Sequence, residues 1–402
     1  MTDVLITDIG QLVTNDESRG GLLGIMDGAA IAIDSGDIRW VGPEDDVPHE
    51  YRSYDTLRAD GGVVLPGFVD AHTHAVFAGD RSHEFAMRLE GATYEQIQVA
   101  GGGIYSTVRA TREASLDELV DESLPRIARM LASGTTTIEV KTGYGLDIAT
   151  EVKMLDAIDR IRDVLAVDTI PTFLGGHVVA PEFLDDRGSY VDLVGGAMMD
   201  AVAGRVAYVD VFCDDAAFTV GETRLIAHAA QARSLDVRLH VDQLSHTGGA
   251  ALAAELGAVA ADHLDHSTDE DLVALAEVGT VAVLLPGVSY TMREPAPDGR
   301  RVWDAGVTVA IATDCNPGTS YIETMPFIIS MAAVNCGLTP DESVWAATRG
   351  GALALGLHDR GVVAPGKVAD LVVLDAPTHE HLTYRPDGDL VALVIKRGNV
   401  LS

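Results

Sequence analysis

Eight short apolar runs, each followed by a helix-length segment, fill the chain from Gly67 to about Gly356, and this alternation restricts the fold more than any other feature. The runs cover 68–74, 135–141, 168–174, 207–212, 237–242, 258–263, 280–285 and 308–314. Continuous apolar character over so few residues is the pattern of parallel strands buried on both faces. Eight such strands alternating with helices predict an α/β chain forming a distorted (β/α)8 TIM barrel, with reactive groups at the C-terminal strand ends. The flanking segments read differently. Ala29–Ile33 and Ile38–Val41 near the start, and Ala369–Leu374 and Leu390–Ile395 near the end, are short and set apart by Gly and Asp, as antiparallel strands are. Residues 1–65 plus 357–402 are therefore expected to compose a small β-sandwich, and 66–356 the barrel.

The strand ends carry the chemistry. His72 and His74 stand two residues apart after Phe68-Val69-Asp70, and in extended chain residues i and i+2 face the same side. An HxH pair alone is equally well read as packed histidines at a barrel rim. His240 at the fifth strand end, His263 at the sixth and Asp314 at the eighth tip the balance to a metal centre. Imidazoles with a carboxylate suit Zn²⁺ or Fe²⁺. Such an ion lowers the pKa of bound water toward ~7, which makes hydrolysis the default chemistry. Asp314 is then the natural proton carrier to a leaving nitrogen, with His263 orienting the water or sharing that duty. His266 shows that histidines here also occur without an obvious role.

With 61 Asp+Glu against 28 Lys+Arg, the formal net charge is −33, which argues against a nucleic-acid partner. Only Lys141, Lys153, Lys367 and Lys396 are lysines, and the acids are spread along the chain. That pattern reads as adaptation to concentrated salt, where a Debye length of about 3 Å at 1 M mutes self-repulsion. Cys213, Cys315 and Cys336 are odd in number and scattered, which points to a reducing, cytoplasmic setting. No apolar run approaches the roughly 20 residues of a membrane helix, and the N-terminus lacks the pattern of a secretory signal. A homodimer is the base-rate expectation.

The segment Pro66-Gly67-Phe68-Val69-Asp70-Ala71-His72-Thr73-His74, together with the late His and Asp, resembles the amidohydrolase superfamily. Four further stretches resemble its imidazolonepropionase family: Glu139–Leu146, Thr172–His177, His240–Ser245 and, most discriminating, Ala312–Ser320. Gly361–Val372 resembles the superfamily's C-terminal segment. The resemblance implies one Zn or Fe ion per subunit on His72, His74, His240 and Asp314. It also implies hydrolytic opening of 4-imidazolone-5-propanoate to N-formimidoyl-L-glutamate.

In that setting Arg81 is suited to clamp the substrate propionate by paired charge-assisted hydrogen bonds, against the plainer reading that it pairs with Glu84. Tyr144, between two glycines, brings a hydroxyl to the pocket. His177 resembles the family's substrate-contacting histidine. Asn316, Gly318 and Thr319 form a turn able to bond ring and carboxylate, although turns of this composition need no ligand. Gln243 offers an amide to the ring edge where some relatives carry Glu, and Tyr94 is expected to line the pocket. Lys141 is read as structural, and Gly176 in place of a common Ala as inconsequential. Two rivals differ in class: a deaminating hydrolase of the same superfamily, and a barrel kept only as an assembly scaffold, which the intact ligand set disfavours.

Overall fold

The computed structural model describes residues 3–92, 96–97, 101–215 and 217–401, so Tyr94 lies outside the described residues. The chain opens with β1 (Val4–Leu12), β2 (Met26–Asp34), β3 (Asp37–Pro43), β4 (Asp55–Arg58) and β5 (Val63–Pro66). Next come β6 (Phe68–Asp70), β7 (Thr135–Lys141), β8 (Asp168–Gly176) and β9 (Tyr208–Cys213), then β10 (Asp236–Val241), β11 (Ala260–His263), β12 (Val281–Leu284) and β13 (Val309–Ile311). The last strands are β14 (Leu371–Leu374), β15 (Val391–Lys396) and β16 (Asn399–Leu401).

Strands β6 to β13 form one parallel sheet in sequential order, the ladder of a (β/α)8 barrel. Both chain termini share a second sheet, ordered β16-β15-β14-β5-β1-β2-β3 with β4 beside β1. The tail joins the head directly, since β14 runs antiparallel to β5 with Leu371 opposite Pro66. Its own core includes Ile6, Ile9, Leu12, Ile31, Ile33, Val64, Leu371 and Ile395. Each buried Val, Leu or Ile contributes ~1.5–3 kcal/mol, which offsets the charged residues held inside the barrel. Among the described residues, no helix is long and apolar enough to cross a membrane.

Each of the eight expected runs overlaps one strand, but β6 and β13 are only three residues long. They do not pair with each other as strands. The barrel closes instead through the segments that follow them, where Thr73 and Cys315 form an isolated parallel bridge. His74 N–H donates to Cys315 O at 3.0 Å and Asp314 N–H to His72 O at 3.0 Å. Below this seam Thr313 donates its N–H (3.0 Å) and hydroxyl (2.6 Å) to the buried Asp70 carboxylate. Gly350 and Gly351 let the last barrel helix lie against both strands. A Cβ would meet Val309 O at 2.2 Å from the first and Val69 O at 2.3 Å from the second.

At the other end of the barrel, ion pairs join the two sheets. Asp168, the first residue of β8, accepts Arg360 Nη1 at 2.5 Å and Lys396 Nζ at 2.8 Å. Lys396 also reaches Asp370 at 2.6 Å, and Arg360 donates to Thr137 Oγ1 at 2.8 Å.

Candidate metal centre and substrate pocket

Thr73 points away from the barrel axis, donating its hydroxyl to Glu139 O at 2.7 Å and its N–H to Glu139 Oε2 at 3.1 Å. Its neighbours His72 and His74 consequently both turn inward. His240 comes from β10, His263 ends β11, and Asp314 follows β13 by three residues. His74 Nε2 is 3.4 Å from His240 Nε2, and Asp314 Oδ1 is 3.4 Å from both His72 Nε2 and His74 Nε2. Donor atoms that share one divalent ion at ~2.0–2.1 Å stand roughly 3–3.5 Å apart, the separation found here. His72 Nε2 and Asp314 Oδ1 are buried without a hydrogen-bond partner. Lone pairs converging this closely in a buried place repel unless a cation sits among them. The donor set His72, His74, His240 and Asp314 thus fits a single divalent ion.

Protonation agrees with that reading. Burial holds His72, His74 and His263 well below the usual imidazole range, so they present neutral, ligating or accepting nitrogens. Burial pushes the Asp314 carboxyl up to about 7, opposed by His240 and the Asn316 amide. Asp314 (φ 47), His263 (φ 78) and Leu264 (φ 65) all occupy left-handed backbone. Strain of this kind, of order 1–3 kcal/mol per residue, gathers at functional sites. The His263 ring centroid lies 5.4 Å from that of His240 and 5.6 Å from that of His72, beside the ligands and open to the same space.

Behind these groups lies a layer of which the sequence reading named only Lys141, as structural. His72 Nδ1–H donates to Asp262 Oδ2 at 2.7 Å, and His240 Nδ1 lies 3.0 Å from Asp210 Oδ2. Carboxylates in these places fix ring orientation and raise ligand basicity. Lys141 ties the layer together, reaching Asp210 at 2.7 Å, Glu139 at 2.8 Å and Asp262 at 3.6 Å. Burial opposes its charge, but Asp210 and Glu139 outweigh burial and hold its pKa above the ordinary value. Arg238 Nη2 completes the layer, 3.2 Å from Asp262 and donating to Ala71 O at 2.7 Å. The signal was present: Asp210 and Asp262 are isolated charges inside strands of buried type.

Over the ligands opens a cavity of about 460 Å³ lined by Arg81, Tyr144, His177, Gln243, Asn316, Gly318 and Thr319, among others. His177 Nδ1–H donates to Gly143 O at 3.0 Å, which leaves Nε2 as an acceptor. Its ring stacks on His74 at 5.0 Å, and burial lowers its pKa to about 3. Burial raises the Tyr144 phenol, keeping it a hydrogen-bond donor. Arg81 both lines the cavity and pairs with Glu84, Nε and Nη2 each 2.9 Å from Oε2. Glu84 in turn accepts Gly103 N–H at 3.1 Å and the Ser106 hydroxyl at 3.0 Å. The outer edge of the fork rests on Gly318, where a Cβ would lie 2.5 Å from Nη1. Arg88, also missed in the sequence, donates to Gly318 O at 2.9 Å from the last turn of the helix Ser82–Leu89, whose N-cap is Arg81. The Asn316 side chain is taken up within its own turn: its amide donates to Asp314 O (2.7 Å) and Thr319 Oγ1 (3.0 Å), and its oxygen accepts Gly318 and Thr319 N–H (2.8 and 2.7 Å).

Comparison with known proteins follows this geometry. The amidohydrolase family profile matches residues 63–401. Imidazolonepropionase of Streptomyces coelicolor is 47% identical over 399 residues, covering 99% of this chain and 98% of that protein. The Salinispora tropica imidazolonepropionase is 48% identical over 400 residues, with 99% and 98% covered. Among solved structures, atrazine chlorohydrolase from Arthrobacter aurescens complexed with zinc superposes with a TM-score of 0.73 at 19% identity, covering 99% of this chain and 95% of that one. An adenosine deaminase from Xanthomonas campestris with bound zinc gives 0.73 at 20% identity, covering 99% and 92%. At such identities the structures speak for the fold alone.

Proposed function

The chain belongs to the amidohydrolase family, and we propose that it hydrolyses the ring C–N bond of 4-imidazolone-5-propanoate to give N-formimidoyl-L-glutamate in histidine degradation. One observation carries the reading: His74, His240 and Asp314, which gather with the buried His72, line the same cavity as the Arg81 fork. An ion held by His72, His74, His240 and Asp314 supplies Lewis acidity and a water of lowered pKa. Arg81 receives the propionate, while Gln243 and Tyr144 meet the ring edge. His177, with Nδ1 bound to Gly143 O, turns an accepting Nε2 to a ring N–H. Asp314 takes a proton from the attacking water as its oxygen bonds the ring carbonyl carbon. It returns that proton to the ring nitrogen as the C–N bond breaks. His263 stands across the ligands, where it orients the water and steadies the developing charge. Asn316 shapes the turn that presents Gly318 and Thr319.

The finer reading is one Zn or Fe ion per subunit in a cytoplasmic homodimer suited to concentrated salt, with 1–65 plus 357–402 folding as one unit against 66–356. Ultraviolet-monitored loss of imidazolone propanoate by purified protein, at low and high KCl, tests the activity. Elemental analysis and sedimentation of the same preparation test metal and assembly. Release of formimidoylglutamate is the expected product. Ammonia release instead would move the chain to the deaminating branch, and a preparation active at full stoichiometry without metal would remove the ligand assignment.

A further inference from the structure

Strand β9 ends at Cys213, and the residue after it, Asp214, is 2% exposed. Every hydrogen bond its carboxylate receives comes from a backbone N–H or a hydroxyl. Oδ2 accepts both Gln243 N–H and Leu244 N–H at 3.0 Å. Oδ1 accepts Asp215 N–H at 2.8 Å and, more distantly, the Ser245 hydroxyl at 3.4 Å. Two consecutive amides converging on one oxygen fix the plane of the peptide between them.

That peptide belongs to the loop leaving β10, and Gln243 stands three residues beyond His240. Asp242 sits in left-handed backbone (φ 49), so the chain turns out of the ladder just before Gln243 and no strand pairing aims the side chain that follows. The far side of the loop is held by Asp242 itself, which accepts Thr247 N–H at 3.0 Å and the Ser267 hydroxyl at 2.9 Å. The near side, carrying Gln243 and Leu244 into the cavity wall, is held by Asp214. We infer that Asp214 is a positioning residue for the hydrolysis: from the neighbouring strand it orients the Gln243 backbone so that the side-chain amide faces the substrate ring. The inference rests on the role proposed for Gln243.

The experiment is a double-mutant cycle read in kcat and KM, with metal content and thermal midpoint recorded for every variant. Asp214→Ala, which strands both amides, is expected to lower kcat/KM ten- to hundredfold at unchanged metal content. Asp214→Asn, whose one oxygen still accepts both amides while its NH2 turns toward Asp215 N–H, is expected to lose less than the Ala variant and to stay within tenfold of the parent. In a Gln243→Ala background, Asp214→Ala is expected to have almost no further effect. Additive losses, with Gln243→Ala itself impaired, would overturn this inference alone. A fully active Gln243→Ala would remove the role of Gln243 and this inference with it. If Asp214→Ala does not fold, the Asn variant decides: a folded, metal-replete Asp214→Asn more than tenfold impaired would refute the arrangement.

Discussion

Gly318→Ala isolates the Arg81 clamp without touching a polar group. The new Cβ would lie 2.5 Å from Arg81 Nη1, 3.0 Å from Cζ and 3.3 Å from Nη2. Non-bonded heavy atoms settle near 3.5–4.0 Å, so the fork must retreat by about 1 Å. The obstructing atoms end a flexible side chain and Gly318 lies outside the positive-φ positions, so the fold accommodates the change. A charge-assisted bond of ~2.8 Å does not survive such a retreat. Losing one costs about 1.5–3 kcal/mol, which is roughly 10- to 150-fold in kcat/KM. Because the propionate is remote from the bond that breaks, the loss is expected in KM with kcat little changed. Steady-state kinetics on imidazolone propanoate measure it, with the thermal midpoint as control. In an Arg81→Ala background the substitution should add nothing. A KM within twofold of the parent, or a fall in kcat at constant KM, would refute the placement of Arg81.

Asp314→Ala is expected to abolish turnover, by ~10²–10⁴-fold or more, while circular dichroism reports an intact barrel; substantial activity in a metal-replete variant would exclude Asp314 as proton carrier. Burial raises the Asp168 carboxyl, but Lys396 and Arg360 outweigh it, so its folded pKa lies below the unfolded value near 3.9. Stability from this group is therefore present above about pH 4 and is lost as pH falls toward the folded pKa. Asp168→Asn should cost about 2 kcal/mol at pH 7, less than a fully buried pair because the side chain is 29% exposed, and the difference from the parent should shrink below pH 4 in urea melts. Gly351→Ala forces a Cβ to within 2.3 Å of Val69 O, a backbone atom that cannot step aside. It should lower stability by about 1–3 kcal/mol and metal occupancy with it, since Val69 leads into His72; an unchanged melt would show the helix free to move.

The barrel was legible because apolar runs and helix-length spacers repeat, and periodicity is a local property. The candidate cluster was legible for a related reason: His72 and His74 need only i, i+2 spacing, and strand ends are where this architecture puts reactive groups. What local pattern does not carry is register between strands. That His240 faces Asp210 follows from β9 and β10 lying side by side, with His240 level with Phe212, and His72 meets Asp262 only because the barrel brings β6 and β11 to one interior. Asn316 shows the opposite limit. The residue type that suits a ligand-binding turn is also the type that folds one, and here its side chain is spent on the turn. The two expectations for Arg81 turned out not to exclude each other, since a guanidinium has two edges and Glu84 takes only one.

The seam between β6 and β13 also has a consequence in time. Because His72 and Asp314 meet only where the barrel shuts, the candidate metal cluster is a contact between distant parts of the chain, and its assembly awaits synthesis of the whole barrel. A nascent chain halted before Asp314 holds paired histidines and no finished cage. An ion taken up by these groups would report that the last barrel strand has docked, and would be a late witness to folding rather than its seed.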